Sequence, residues 1–206
     1  MSPRTTLEGP DLTALRSALI PTEYDLWRAR PLAHPLPFDD TGSRTKRPGR
    51  YHVTGLFGAI YFATTFDGAL LEFVSRQEHQ PVSALLHHER VRIEKTLDLT
   101  AIDVRRALVP WGQALEAEAV TLWQDFSVPN GIAALSLGLG ADGLIAPSAA
   151  FHRAALSRVG VTYQAGGVTS QLEEFDEFLV VVVLHSAVHA PLRDPVQVDA
   201  IARWSS

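Results

Sequence analysis

The chain of 206 residues contains no cysteine. Disulfide bonds and thiolate chemistry are therefore excluded, and a reducing compartment is compatible with this composition. An excess of positive charge is also missing, because 18 basic residues stand against 23 acidic ones and the formal net charge is -5. A general nucleic-acid binder more often shows a basic excess. We therefore expect no direct binding of nucleic acid.

Long hydrophobic runs are absent as well. The longest strongly apolar run extends from Phe178 to Leu184. It is too short to cross a bilayer as a helix and is typical of a buried strand. The first residues, Met1-Ser2-Pro3-Arg4-Thr5, lack the apolar stretch of a signal peptide. We expect a cytoplasmic protein that does not contact a membrane.

The remaining composition, 46% hydrophobic and 20% charged, is that of a globular domain. Strands and helices alternate without βαβ regularity, which favours an α+β fold. Residues 31–50 contain four prolines and several basic residues and form a predicted long loop of the kind that is often functional. The pattern predicts helices over 11–19, 65–80, 102–108, 113–124 and 129–138, and strands over 24–30, 58–65, 91–99, 144–146 and 178–185.

Five candidate functional residues each have an ordinary interpretation when taken singly. Glu72 faces away from the apolar side of its predicted helix, as a solvated residue would. Arg28 has the character of a residue at a strand edge. Arg50 lies in a basic loop that is either solvated or binds a pyrophosphate, since the fork of an arginine side chain holds two oxygens at once. Tyr61 is compatible with core packing or with stacking on a flat heterocycle. Ser148 follows a proline, as turn serines do.

Two motifs match a dinucleotide-binding or a metal-binding pattern but lack the structural context that such a site requires. Residues 138–143 match Gly-x-Gly-x-x-Gly, but a predicted helix precedes them and Pro147 follows, so they do not predict a Rossmann site. His185 and His189 have the spacing of metal ligands on one helical turn, yet they follow a valine-rich strand and precede Pro191. We predict no metal.

Taken together and in order, the candidate residues resemble the Arg, Glu and Ser of the RES domain family. The resemblance extends from about Tyr24 to about Leu184. It is carried by Leu26-Trp27-Arg28, Gly49-Arg50-Tyr51, Ile60-Tyr61-Phe62-Ala63, Ala69-Leu70-Leu71-Glu72 and the segment from Asp142 to Ala149. In that family a tryptophan usually stands at the position of Tyr51, and an asparagine commonly follows it where this chain has His52.

The resemblance implies a fold and a function. The fold would be a single mixed α+β domain like that of ADP-ribosyltransferases, with a central, mostly antiparallel split sheet and flanking helices over residues 21–206, preceded by an N-terminal extension over residues 1–20. The function would be that of the toxin of a toxin–antitoxin pair, which consumes NAD as its substrate by phosphorolysis or hydrolysis of the nicotinamide–ribose bond. The partner would be a helix-turn-helix antitoxin, and a homo-oligomer within the complex is compatible with the apolar content.

The resemblance also implies the roles of the site residues. Glu72, Arg28 and Tyr61 would be catalytic, and Arg28, Arg50, Tyr61 and Ser148 would bind NAD. Two alternatives remain open at this point. One is a protein ADP-ribosyltransferase that uses the same site, and the other is a non-catalytic binding module that kept the fold. The sequence does not identify the acceptor, any protein target or the oligomeric state.

Overall fold

One mixed sheet organises the chain in the computed structural model. The structure describes residues 9–33, 49–75, 80–109, 111, 126–151, 159–173, 176, 178–185 and 187–204. Most of the predicted loop over 31–50 and the predicted helix over 113–124 lie outside these residues. None of the helices in the described part is long and apolar enough to cross a membrane.

The described elements are four helices and eight strands. The helices are α1 (Leu12–Ser17), α2 (Phe66–Val74), α3 (Ile102–Ala107) and α4 (Ser127–Gly138). The strands are β1 (Ile20–Pro31), β2 (Ile60–Ala63), β3 (Val82–Asp98), β4 (Gly143–Pro147), β5 (Val159–Ala165), β6 (Val168–Leu172), β7 (Leu179–Val183) and β8 (Val188–Trp204).

The strand order is β1-β2-β7-β4-β3-β8-β5-β6, and β1 also pairs with β3. Strands β1, β2, β7, β4 and β3 therefore form a closed ring of pairings, from which β8, β5 and β6 continue. The pairing of β3 with β4 is parallel, whereas the other pairings between the described strands are antiparallel. This arrangement confirms the predicted α+β class with a mostly antiparallel sheet.

Two apolar clusters pack on the opposite faces of the sheet. The first cluster includes Leu70, Leu71, Leu86, Leu97 and Val182, and the second includes Leu26, Phe62, Val91, Ile93 and Val181. Side chains alternate between the two faces along a strand, so β7 contributes to both clusters. This explains its continuous valine run, because a strand that is buried on both faces has no polar side.

Several predicted elements differ from the observed ones in extent. Helix α2 ends at Val74, before the predicted end at residue 80. Strand β3 begins at Val82, nine residues before the predicted start at residue 91. The β5–β6 hairpin was not predicted; its turn contains Gly166 and Gly167, which both have positive φ values.

Helix α1 lies in the predicted N-terminal extension. The Asp11 carboxylate accepts hydrogen bonds from the N–H groups of Thr13 and Ala14, so it caps the helix as the sequence predicts. Leu15 is fully buried in the first cluster, and the Asp11 N–H donates to the Ala107 carbonyl oxygen at 2.8 Å. The extension is therefore attached to α3 and to the core of the rest of the chain.

Candidate active site

Helix α2 carries Glu72 on its partly exposed side. Thr65 caps the helix by accepting the Gly68 N–H at 3.0 Å. Leu70, Leu71 and Val74 are buried in the first cluster, whereas Glu72 is half-buried. The helical periodicity therefore places Glu72 away from the apolar side, as the sequence predicts.

Ser148 orients the Glu72 carboxylate. The Ser148 hydroxyl donates to Glu72 Oε1 at 2.6 Å, and Ser148 Oγ accepts the Phe151 N–H at 3.1 Å. The hydroxyl hydrogen is thus used for Glu72, and one lone pair is used for the helical turn that begins at residue 149. Ser148 is 1% exposed whereas Glu72 is half-buried, so solvent reaches the pair from its glutamate side.

Tyr61 holds the turn that contains Arg50. Gly49 and His52 form an isolated antiparallel bridge, with Arg50 and Tyr51 between them. Tyr61 Oη accepts the Tyr51 N–H at 2.9 Å and lies 2.9 Å from His52 Nδ1. The Tyr61 ring packs against the first cluster from β2, so the turn is tied to the sheet.

The Tyr51 phenol links this turn electrostatically to Glu72. Burial raises the pKa of Tyr51 to about 12, while the nearby Arg50 guanidinium lowers this pKa and the Glu72 carboxylate raises it further. The positive charge of Arg50 and the negative charge of Glu72 therefore both act at the Tyr51 side chain, which is 3% exposed.

Arg28 lies on the other face of the sheet. Its neighbour Trp27 pairs with Ala63, and both residues pack with the first cluster. The Arg28 guanidinium carbon instead lies 5.6 Å from the centroid of the Phe62 ring, which belongs to the second cluster. Arg28 is 9% exposed, and its Cα pairs with that of His87.

Hydrogen bonds and electrostatic interactions thus relate four of the five predicted site residues to one another. Glu72 and Ser148 bond directly, Tyr61 bonds to the Tyr51 N–H, and the charges of Arg50 and Glu72 both act at Tyr51. The Arg28 guanidinium lies beside the Phe62 ring. Tyr51 and His52 are not among the site residues that the sequence predicts. Their adjacency to Arg50 in the family motif was the available signal, but nothing in the sequence showed that Tyr61 bonds to both.

A metal centre has little support in this part of the molecule. Within the described ranges, no group of three or more acidic or histidine side chains is arranged to hold a metal ion. The expectation of a metal-free site stays a prediction.

Comparisons with known proteins define first the fold and then the family. A chain of the crystal structure of the M. tuberculosis MbcT–MbcA toxin–antitoxin complex superposes with a TM-score of 0.53 over 90% of this chain and 94% of that chain, at 16% sequence identity. The protein thus has the fold of that chain. The RES domain family model matches residues 25–160, which is more than half of the sequence, so the chain belongs to the RES domain family. A search of curated proteins gives no match.

Proposed function

We propose that this protein is an NAD-consuming toxin of a toxin–antitoxin pair and that it cleaves the nicotinamide–ribose bond. Two findings support the assignment to toxins of toxin–antitoxin pairs. The chain belongs to the RES domain family, and it shares its fold with a chain of a toxin–antitoxin complex.

The observation that carries the proposal is the bond between Ser148 and Glu72. Ser148 Oγ lies 2.6 Å from Glu72 Oε1 and is itself fixed by the Phe151 N–H. A carboxylate that is held at one oxygen by a buried donor leaves its other oxygen for a ligand. Such preorganised charge contributes on the order of 3 kcal/mol to a transition state of opposite charge.

NAD cleavage suits a single carboxylate. When the bond between the nicotinamide nitrogen and the ribose anomeric carbon breaks, the electron pair stays with the nitrogen and positive charge develops on the sugar, as in glycoside cleavage. The cationic nicotinamide ring becomes neutral as it leaves, so no general acid is required. Glu72 would bind a ribose hydroxyl and stabilise the developing cation. Water or inorganic phosphate then adds to the anomeric carbon; water loses its proton to solvent.

The other residues would bind the rest of NAD. Arg50 would hold phosphate oxygens through its guanidinium fork, and its charge acts close to that of Glu72. Arg28 would bind the phosphates or the ribose. This role requires NAD to reach the sheet face that carries Phe62. The Tyr61 ring would pack on the nicotinamide while its hydroxyl holds the turn. Ser148 would act by orienting Glu72 beside the ribose.

The partner would be a helix-turn-helix antitoxin that covers this site in the cytoplasm. The MbcT–MbcA structure supports the pairing of such a fold with an antitoxin. A homo-oligomer within the complex is part of the same proposal.

Product analysis tests the proposal. The purified protein is incubated with NAD, with and without inorganic phosphate, and the products are separated by chromatography. We expect release of nicotinamide together with ADP-ribose, or with phosphorylated ADP-ribose if phosphate is the acceptor. Labelled NAD in a cell lysate provides the control, because transfer of label to protein would instead favour an ADP-ribosyltransferase. No NAD loss and no transfer of label would contradict both activities.

A further inference from the structure

We propose that His52 is a positioning residue for Arg50 and that it acts through the hydroxyl of Tyr61. This inference rests on the proposed function, because it assigns the phosphates of NAD to Arg50. His52 is outside the set of site residues that the sequence predicts. It would act through its contact with Tyr61 and not through a contact with substrate.

The turn from Gly49 to His52 is tied to β2 at two successive residues. The Tyr51 N–H and His52 Nδ1 both lie 2.9 Å from Tyr61 Oη. These two residues follow Arg50 directly. A single hydroxyl on a sheet strand thus sets the position of the backbone that carries the Arg50 side chain.

Packing around the turn leaves little freedom. His52 is 4% exposed, and its ring meets the Tyr61 ring edge-on with 5.8 Å between the centroids and an interplanar angle of 66°. A Cβ atom at Gly49 would overlap the His52 imidazole and would lie 3.1 Å from Tyr61 Oη. The glycine is therefore required for the close approach of the two rings to the turn.

His52 also sets the direction of the Tyr61 hydroxyl. A phenol group has one hydrogen and accepts through its lone pairs. The Tyr51 N–H can only donate, so it uses a lone pair of Tyr61 Oη. With its proton on Nε2, neutral His52 accepts the hydroxyl hydrogen at Nδ1. Loss of this acceptor would remove the bond between the His52 side chain and Tyr61 Oη.

A displaced turn would move Arg50 relative to Glu72. The charges of both residues act on the buried Tyr51 side chain, which lies inside the same turn. Because phosphates bind equally in the ground state and the transition state of nicotinamide release, a misplaced Arg50 should raise KM more than it lowers kcat.

Steady-state kinetics with NAD test the role. His52→Leu removes the acceptor and keeps an apolar side chain, whereas His52→Asn keeps a polar group near the Nδ1 position. We expect His52→Leu to raise KM roughly tenfold with little change in kcat, because small misplacements of binding groups cost up to about a hundredfold. We expect His52→Asn to restore most of this loss. An unchanged KM in His52→Leu would overturn the proposal.

A double-mutant cycle shows whether His52 acts through Arg50. In an Arg50→Ala background, adding His52→Leu should change KM less than about twofold, since residues that act as one unit are not additive. A second, full tenfold rise in that background would overturn the proposal, because His52 would then act independently of Arg50.

Amide hydrogen exchange separates this inference from the proposed function. Without NAD, the Tyr51 amide should exchange faster in His52→Leu and in Tyr61→Phe than in the wild type, while the Leu144 amide in β4 keeps its rate. Equal Tyr51 rates in all three proteins would overturn the clamp whatever the kinetics show. Faster Tyr51 exchange in the two variants, together with a wild type that neither binds nor consumes NAD, would uphold the positioning role of His52 and overturn the proposed function.

Discussion

At the scale of single residues, a buried serine hydroxyl orients the Glu72 carboxylate. Ser148 is as deeply buried as the core, yet its hydroxyl has two defined partners, Glu72 and the Phe151 N–H. The family resemblance implies that Ser148 binds NAD. The structure adds that Ser148 bonds to Glu72, a contact across 76 positions that no local pattern could reveal.

Ser148→Ala should lower kcat/KM for NAD by about 10- to 100-fold, because a hydrogen bond to a charged group is worth about 1.5–3 kcal/mol. Ser136→Ala is a matched control, since Ser136 is also fully buried but its hydroxyl donates to the Ile132 carbonyl oxygen in α4. Steady-state assays on both variants check this. Equal activities of the two variants would contradict the role of Ser148.

A second residue-scale feature is the cross-strand row of Trp27, His88 and Arg193. The Trp27 and His88 rings stack at 4.2 Å, and the Arg193 guanidinium carbon lies 4.3 Å from the Trp27 ring centroid. Arg193 Nε can only donate, so its 3.2 Å contact with His88 Nδ1 requires an unprotonated nitrogen there. Burial, and then the Arg193 charge, hold the pKa of His88 below its ordinary value, while Asp25 and Glu89 oppose the shift.

This shift predicts a pH dependence of stability. Above the ordinary histidine pKa of about 6.5, His88 is neutral in both the folded and unfolded states. As the pH falls below that value, the unfolded state binds the proton first, so the free energy of unfolding decreases until the pH passes the lower folded pKa. His88→Asn should flatten this part of the curve, as measured by urea unfolding between about pH 5 and pH 7.5. Identical slopes in the two proteins would contradict the assignment.

At the scale of elements, the sequence predicts the features that interactions between neighbouring residues determine. The caps at Asp11 and Thr65 and the valine run of β7 were readable because each depends on neighbouring residues. The start of β3 was not, because its first half contains His87 and Glu89, which are buried beside each other only after β1 and β8 have paired with the strand. The bonds from Tyr61 to Tyr51 and His52 could not be predicted either, because they form only when the turn packs against β2.

The position of α2 depends on a glycine. A Cβ at Gly68 would lie 2.5 Å from the Phe178 ring, which is fully buried beneath the helix. Gly68→Ala should therefore destabilise the protein by about 1–3 kcal/mol through overpacking and lower activity by shifting Glu72. Gly138→Ala in α4 is the control, because open space surrounds that position; it should be neutral or stabilising by up to about 1 kcal/mol. Chemical unfolding compares the two, and equal stabilities would contradict the close packing.

At the scale of the whole molecule, strand β3 joins the two parts of the sheet. It pairs with β1 and β4 in the closed ring and with β8, from which β5 and β6 continue. The first cluster fills the face on which α2, Tyr51 and Tyr61 lie. The site is thus built on one packed face, with Glu72 and the Arg50 turn supplied by separate segments.

Glu72 can be changed with little effect on the fold, because its side chain is half-buried and bonds to Ser148 rather than packing in the core. The most direct measurement is the rate of nicotinamide release from NAD by the wild type and by Glu72→Gln, with thermal unfolding of both as the control. We predict a loss of at least about 100-fold in Glu72→Gln, the effect of removing one preorganised electrostatic group, with little change in the unfolding temperature. Undiminished release by a folded Glu72→Gln protein would contradict the account.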